Sequence, residues 1–315
     1  MSERERDAQA QGSLSPVSGA SRDGRPLAYH RAPAPDLTPW IARLFVTVVG
    51  QPDSQTLHCG LFNDTPFVRL IVGGDWTAQT AAGPIRASRG ALVFGPHSRR
   101  MPIAVTGPFA TFGFALKPGA VAALGVPWGE VATDCIAKVT AAGLWRGWER
   151  IEHFEARTPE YWLGWLEGSL RAHAAQVSAP HPDPLAEALD RAAFADPAEP
   201  IGGFARRHAV STRRVERMAR RDFGVSPKQV MRRARVLDMA SQLLGFADTA
   251  EAEEQALRYY DQSHLIRDFR ALLGCTPRQL LATPQPILTL GLESRQARRL
   301  ELLERLDARQ PAPWR

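Results

Sequence analysis

The sequence predicts an α+β, multidomain fold: a β-rich, barrel-like domain, a helical connector, and an all-α domain of two helix-turn-helix subdomains joined by a linker helix. Three observations carry this. Between about Tyr29 and Val139, short apolar or alternating runs are punctuated by turn residues. Beyond that stretch, apolar residues recur at three- and four-residue spacing. Finally, the corner "GVSPKQV" beginning at Gly224 returns as "GCTPRQL" beginning at Gly274.

The elements follow in order. Residues 1–27 are small, polar and charged, so a disordered tail is expected there. Residues 28–139 hold "IARLFVTVV", "FVRLIVGG", "WTAQTAA", "GALVFGP" and "FATFGFAL", separated by "GQPDS", "FNDTP" and "GPHS". Short strands with regular turn signals fit a barrel or sandwich. Residues 140–183 read as a helical connector, from "AAGLWRGWERIEHFEA" to the linker "SAPHPDP". Trp145, Trp148, Trp162 and Trp165 lie on its helical stripes, as core or interdomain contacts, with a dimer interface as the rival reading. Residues 184–283 form the double helix-turn-helix domain, and 284–315 a charged tail with the helix candidate "ESRQARRLELLERLDA". That helix packs on the domain, pairs with a partner or stays free; its pattern does not rank the three.

Bulk properties bound the function. The chain has 315 residues, 44% hydrophobic and 23% charged, with no apolar run long enough for a membrane helix and no apolar signal core at its start. A cytoplasmic location is therefore expected. Cys59, Cys135 and Cys275 are far apart and odd in number, as suits a reducing compartment, and make no metal cluster. His58 and His97 lack the His-x-His and carboxylate neighbours of a metal site, and no Gly-rich phosphate loop is present, so no cofactor is expected. Without a convergent acid, base or metal set, an enzyme on the N-terminal barrel is the weaker rival. Net charge is +6, yet Arg206–Arg235 alone contains 11 Lys or Arg against Glu216 and Asp222. A basic stretch of that density is either a solvated surface or a face for duplex DNA.

The repeat extends backwards without a gap: "STRRVERMARRDFGVSPKQVM" lies over "DQSHLIRDFRALLGCTPRQLL". Each copy reads as an N-cap (Ser211, Asp261), a helix, a glycine stop (Gly224, Gly274) and a proline restart (Pro227, Pro277). On the first helix Val215, Met218, Ala219 and Phe223 share the inward face, while Arg213, Arg214, Arg217, Arg220 and Arg221 lie mainly outside. On the second, Leu265, Phe269 and Leu273 point inward, and Gln262, Ser263, His264, Ile266, Arg267 and Arg270 lie outward. Arginine reads guanine and glutamine reads adenine with paired hydrogen bonds, while the remaining cations hold phosphates. Cys275 reads as a packing residue; His264 reads equally well as a cap, a phosphate contact or a base reader. Between the units, "PKQVMRRARVLDMASQLLG" predicts a long helix with Val230, Ala234, Leu237, Ala240 and Leu244 on one face.

Residues 184–283 resemble the AraC/XylS family of bacterial transcriptional regulators, through "VSTRRVERMARRDFGVSPKQ", "RRARVLDMASQLL" and "YYDQSHLIRDFRALLGCTPRQL". The resemblance implies two recognition helices, Ser211–Phe223 and Asp261–Leu273, entering successive major grooves of double-stranded DNA. It places Arg213 and Arg217 at base-facing positions of the first. Departures are Arg258 for a turn glycine, Ala219 for an aromatic residue, Ala209 for a turn glycine, and Gly202 with Gly203 inside a helix. These departures support a third reading, a protein-interaction module with a decayed helix-turn-helix domain. "DLTPWIARLFVTVV" and "RGALVFGPHSRRMPIAVTGPFATFGFALKPGAVAALGVPWGEV" resemble, more distantly, the β-rich sensor-like domain of one branch of these regulators. In arabinose-type relatives such a domain is a cupin-like barrel that binds an effector and dimerises. The resemblance thus leaves room for a small-molecule effector, a homodimer and an RNA polymerase contact.

Overall fold

The computed structural model describes residues 15–16, 28–125, 132–138, 158–246, 262–283, 285–306 and 312–315. The helix expected over 141–156, with Trp145 and Trp148, lies outside the described residues, as do Arg258 and Asp261. Two residues of the expected tail, β1 (Ser15–Pro16), are paired strand, opposite Val49 and Gly50.

The N-terminal strands are β2 (Tyr29–Arg31), β3 (Ile41–Gly50), β4 (Thr56–Leu61), β5 (Phe67–Ile71), β6 (Asp75–Thr80), β7 (Gly83–Ala87), β8 (Gly90–Phe94), β9 (Met101–Thr106), β10 (Phe109–Leu116) and β11 (Ile136–Lys138). They form two antiparallel sheets. One runs β1-β3-β10-β5-β8-β11 with β2 added on β3, and the other runs β4-β9-β6-β7. The expected barrel is thus a pair of sheets that stay open among the described residues. The inner faces meet in one core: Phe67, Ile71 and Phe94 pack with Cys59, Leu61, Ile103 and Val105, and Trp76 lies edge-on to Phe109. β5 is buried on both faces, since alternate residues serve two cores: Phe67 and Ile71 inside, Val68 and Leu70 outside. A short helix, α1 (Ala120–Ala123), follows β10.

The outer face of the larger sheet is covered by α2 (Pro159–Gln176), capped by Thr158. Its Trp162 stacks on Phe112 and its Trp165 lies edge-on to the same ring, so this pair of tryptophans is core. The helical half continues with α3 (Pro184–Ala195), α4 (Ile201–Arg207), α5 (Thr212–Phe223), α6 (Pro227–Leu243), α7 (Gln262–Leu273), α8 (Pro277–Ala282) and α9 (Pro286–Leu302).

The two helix-turn-helix halves do not share a core. The first closes around Leu189, Phe204, Val215, Met218, Ala219, Phe223 and Ala234. The second, with Phe269, Leu273 and Leu280, is continuous with the inner core of the sheets and with α9. α6 joins both. Its expected apolar face is buried, and so are Met231, Arg233, Val236, Asp238 and Met239, because the sheets and α9 cover its other side.

The charged tail helix packs inward. α9 runs against β4, α6 and β3. It starts at Pro286, upstream of the stretch whose charge marked it in the sequence. Its charges meet acids and carbonyls of both halves. Arg295 bonds Asp64 at 2.8 Å and also Asp238. Arg298 pairs with Asp190, and Arg299 donates to the Phe194 carbonyl at 2.9 Å. Glu293 is fully buried and accepts from His30, from Trp314 Nε1 at 3.0 Å and from Arg315 Nε at 3.0 Å. Burial opposes its ionisation, but His30 and Arg315 hold its carboxyl down at about 2.

Candidate nucleic-acid interface

α5 is built as its sequence requires. Ser211 Oγ accepts from the Arg214 amide at 3.2 Å and starts the helix. Gly224, at φ 70°, stops it in the left-handed region. Val215, Met218, Ala219, Asp222 and Phe223 are buried, which leaves Arg213, Arg214, Arg217, Arg220 and Arg221 on the exposed side. Ala219, where an aromatic ring was the family pattern, is fully buried in the core of this half.

The five arginines are not equivalent. Arg221 bonds Asp222 at 2.6 and 2.7 Å and reaches Asp183 at 3.1 Å. Those acids raise its pKa, first through the Asp222 hydrogen bond. Arg214 lies 3.7 Å from Asp183, and Arg220 lies 3.8 Å from Glu216 one turn away. Among the described residues, Arg213 and Arg217 meet no acid. Asp183 also caps α3, accepting from the Leu185 amide at 3.0 Å. Burial works against its ionisation, but that amide and the two arginines hold its carboxyl below the ordinary range. In the sequence Asp183 is only part of a proline-rich linker; no local signal marks it as the anchor of two arginines on another helix.

α7 repeats the plan. Phe269 and Leu273 are fully buried, Ile266 is half-buried, and His264, Arg267 and Arg270 are exposed. Gln262 and Ser263 lie in its first turn, and their side chains are outside the described residues. Gly274 takes φ 71°, and Thr276 with Gln279 makes a full capping box ahead of Pro277 in α8. Ser226 and Gln229 make the same box ahead of Pro227 in α6. The repeated corner is therefore one stop-and-restart device used twice. Cys275 is half-buried and packs against the inner core.

The β domain touches both helices at their C-terminal ends. Thr133 Oγ1 donates to the Gly224 carbonyl at 3.1 Å, and the Arg100 amide donates to the Leu272 carbonyl at 2.6 Å. On the linker helix, Arg233 donates to the carbonyls of His97, at 2.8 Å, and Asp64, at 2.6 Å. His97 is fully buried, its Nδ1 accepting from the Asn63 amide at 3.0 Å, whereas His58 is exposed on β4.

A family model described as a helix-turn-helix domain, of the AraC type, matches residues 204–283. Residues 204–283 are an AraC-type helix-turn-helix domain. Such domains bind DNA and regulate transcription. A second model, described as a domain of unknown function (DUF6597), matches residues 29–137, the span of the two sheets before the AraC-type domain. Among solved structures, ToxT from Vibrio cholerae is similar at 9% identity and a TM-score of 0.44, over 76% of this chain and 98% of that one. The AraC-like transcriptional activator CuxR is similar at 12% identity and a TM-score of 0.29, over 89% and 96% of the two chains. No protein of curated function matches the chain by sequence.

Proposed function

We propose that this chain is a sequence-specific regulator of transcription that places α5 and α7 in successive major grooves of duplex DNA. The observation that carries the reading is the division of labour on α5. Among the described residues, Arg213 and Arg217 keep exposed guanidinium groups without an acid partner, while the arginines beside them are tied to Asp183, Asp222 and Glu216. Two unpaired forks near the start of a capped helix suit base edges. Arg214, Arg220, Arg221 and Arg270 suit phosphates, and Gln262, Ser263, His264, Ile266 and Arg267 form the second reading surface. In this reading the chain works in the cytoplasm without catalysis. The β domain responds to a small molecule or pairs two copies, and the exposed helical surface leaves a place for RNA polymerase.

The test is an anisotropy titration of the full chain against a library of genomic fragments at two salt concentrations. The expected result is a subset of fragments bound at least tenfold more tightly than the rest. Changing Arg217→Ala or Arg267→Ala singly should remove discrimination at one base position each, which costs about 1–3 kcal/mol against the wrong base. Equally weak binding to every fragment would refute specific regulation.

A further inference from the structure

The linker helix α6 passes from one core to the other around a single residue. Val230, Met231 and Ala234 belong to the core of the first helix-turn-helix half, and Val236, Leu237, Met239 and Ala240 to the core that holds the second. Arg235 stands at the change. The open side of α6 there carries Lys228, which is exposed, with Arg232 and Arg235 half-buried at four- and three-residue spacing behind it.

Two arginines of that stripe cross the boundary in opposite directions. Arg232 lies among the first-core residues of α6, yet its Nε donates at 2.7 Å to Asp268 of α7, in the second half. Arg235 adjoins Val236 and Leu237 of the second core, yet its Nη1 donates at 2.6 Å to the Pro197 carbonyl, in the turn between α3 and α4 of the first half. Each bond thus ties one half to the stretch of α6 that packs on the other.

Asp268 is the one acid of α7, a helix that shows Arg267 and Arg270 on its exposed side. An acid on a helix bound for phosphates repels them, so affinity alone argues against it there. Its side chain is only 17% exposed and is held by α6. A pair this near to solvent adds little to stability. What it adds is direction. A guanidinium is planar and donates along fixed lines, so the bond limits how far α7 can turn or slide on α6.

Half-sites one turn of duplex apart are separated by about 34–36 Å, and one base pair more or less moves the second by about 3.4 Å and turns it by about a tenth of a turn. Two reading helices that rock on separate cores can follow such a change; two that are braced to one helix cannot. We propose that Arg232 with Asp268, and Arg235 with the Pro197 carbonyl, are crossed braces that fix the spacing at which α5 and α7 meet two half-sites. They are positioning residues, acting through the helices rather than on the bases. The assignment rests on the reading of α5 and α7 as the two DNA readers and names what sets the distance between them.

The experiment uses the full chain and a library of random duplexes. Wild type, Arg232→Met, Asp268→Ala and Arg235→Met each select from it, the distance between the two enriched half-sites is read from the bound sequences, and anisotropy gives the affinities. One base pair inserted between the half-sites should weaken the wild type by about tenfold or more, and each variant by less than about threefold. R232M and D268A cut the same bond but change the charge in opposite senses. D268A should therefore bind DNA more tightly overall and R232M more weakly, while both lose the spacing preference alike. Opposite affinities with the spacing kept as sharp as in the wild type would overturn the Arg232 brace, because charge alone then explains the pair. A sharp spacing in R235M would strike the Arg235 brace. Melting temperatures should fall by less than about 3 °C, since both bonds are partly exposed. If one of R232M and D268A does not fold, the other decides, because it removes the same bond from the far side. A wild type that enriches single half-sites or none sinks the two-groove reading and the braces with it. A wild type with one spacing that every variant keeps sinks the braces alone.

Discussion

Replacing Arg233 with Met should uncouple the two halves of the molecule. Arg233 is 2% exposed on α6 and donates to two backbone carbonyls, His97 at 2.8 Å and Asp64 at 2.6 Å, from two separate loops of the β domain. Burial pulls its pKa to about 10, so it stays charged at neutral pH. Methionine fills similar volume but donates nothing. Each hydrogen bond to a charged group is worth about 1.5–3 kcal/mol, and each abandoned carbonyl stays dry. Removing the buried cation returns part of that, so the expected net loss is about 2–4 kcal/mol. The assay is urea unfolding followed in two ways. The eight tryptophans all lie outside 184–283, so their fluorescence follows the β domain and its flanks, while circular dichroism at 222 nm follows the helices. In the wild type the two curves should coincide; in R233M the helical curve should fall first. Coincident curves with a loss under about 0.5 kcal/mol would refute the coupling, because two buried charge-assisted bonds cannot be that cheap to remove.

Other expectations follow from single residues. Gly202→Ala should stabilise by up to about 1 kcal/mol, read as a higher melting temperature, because a Cβ there would first meet the end of Arg206 at 3.7 Å. Ala209 sits at φ 54° in the turn before α5, so Ala209→Gly should add about 0.5–1 kcal/mol in the same assay, provided the turn keeps its shape. His97 is held down to about 4 by burial, so the folded chain favours its neutral form. Stability should fall by up to about 3 kcal/mol as pH drops from 6.5 to 4, and urea midpoints of His97→Gln should flatten over that window. Asp183→Asn keeps the cap on α3 and releases Arg214, while Arg221 stays on Asp222. The slope of log affinity against log salt should steepen by about 1 in anisotropy titrations, at roughly 0.9 per added phosphate contact.

Local features were legible because local chemistry sets them. The caps at Ser211, Ser226 and Thr276, the left-handed glycines 224 and 274, and the inward face of α5 follow from residues within one turn of each other. Ala209 in place of a turn glycine also left a trace: the backbone takes the left-handed conformation anyway. Distant partners were not legible. The charge pattern of the tail helix did not rank packing, pairing and floating free, and in the fold Arg298 finds Asp190, Glu301 finds Arg43 and Glu293 finds His30. Periodicity reports which face of a helix is apolar; it carries no information about an acid 108 residues away. Arg69 was hidden for the same reason. In "FVRLI" it looks like a polar interruption of a strand, and only the second sheet turns it into a buried charge.

The separate cores of the two helix-turn-helix halves bear on the proposed regulation. A double reader gains specificity only if both helices meet their grooves in register, and a long helix between two independent cores cannot fix that register by itself. In this fold, contacts outside the domain help fix it. The β domain holds the C-terminal ends of α5 and α7 through Thr133 and Arg100, while Arg233 ties the linker helix to His97, in the loop of Arg100, and to Asp64. The proposed base readers Arg213 and Arg217 lie toward the other end of α5 from the Gly224 contact. A ligand that shifts the loops at 95–100 and 132–135 would therefore act on both halves. By linkage, DNA that fixes the spacing of α5 and α7 must alter the affinity of that ligand by the same factor.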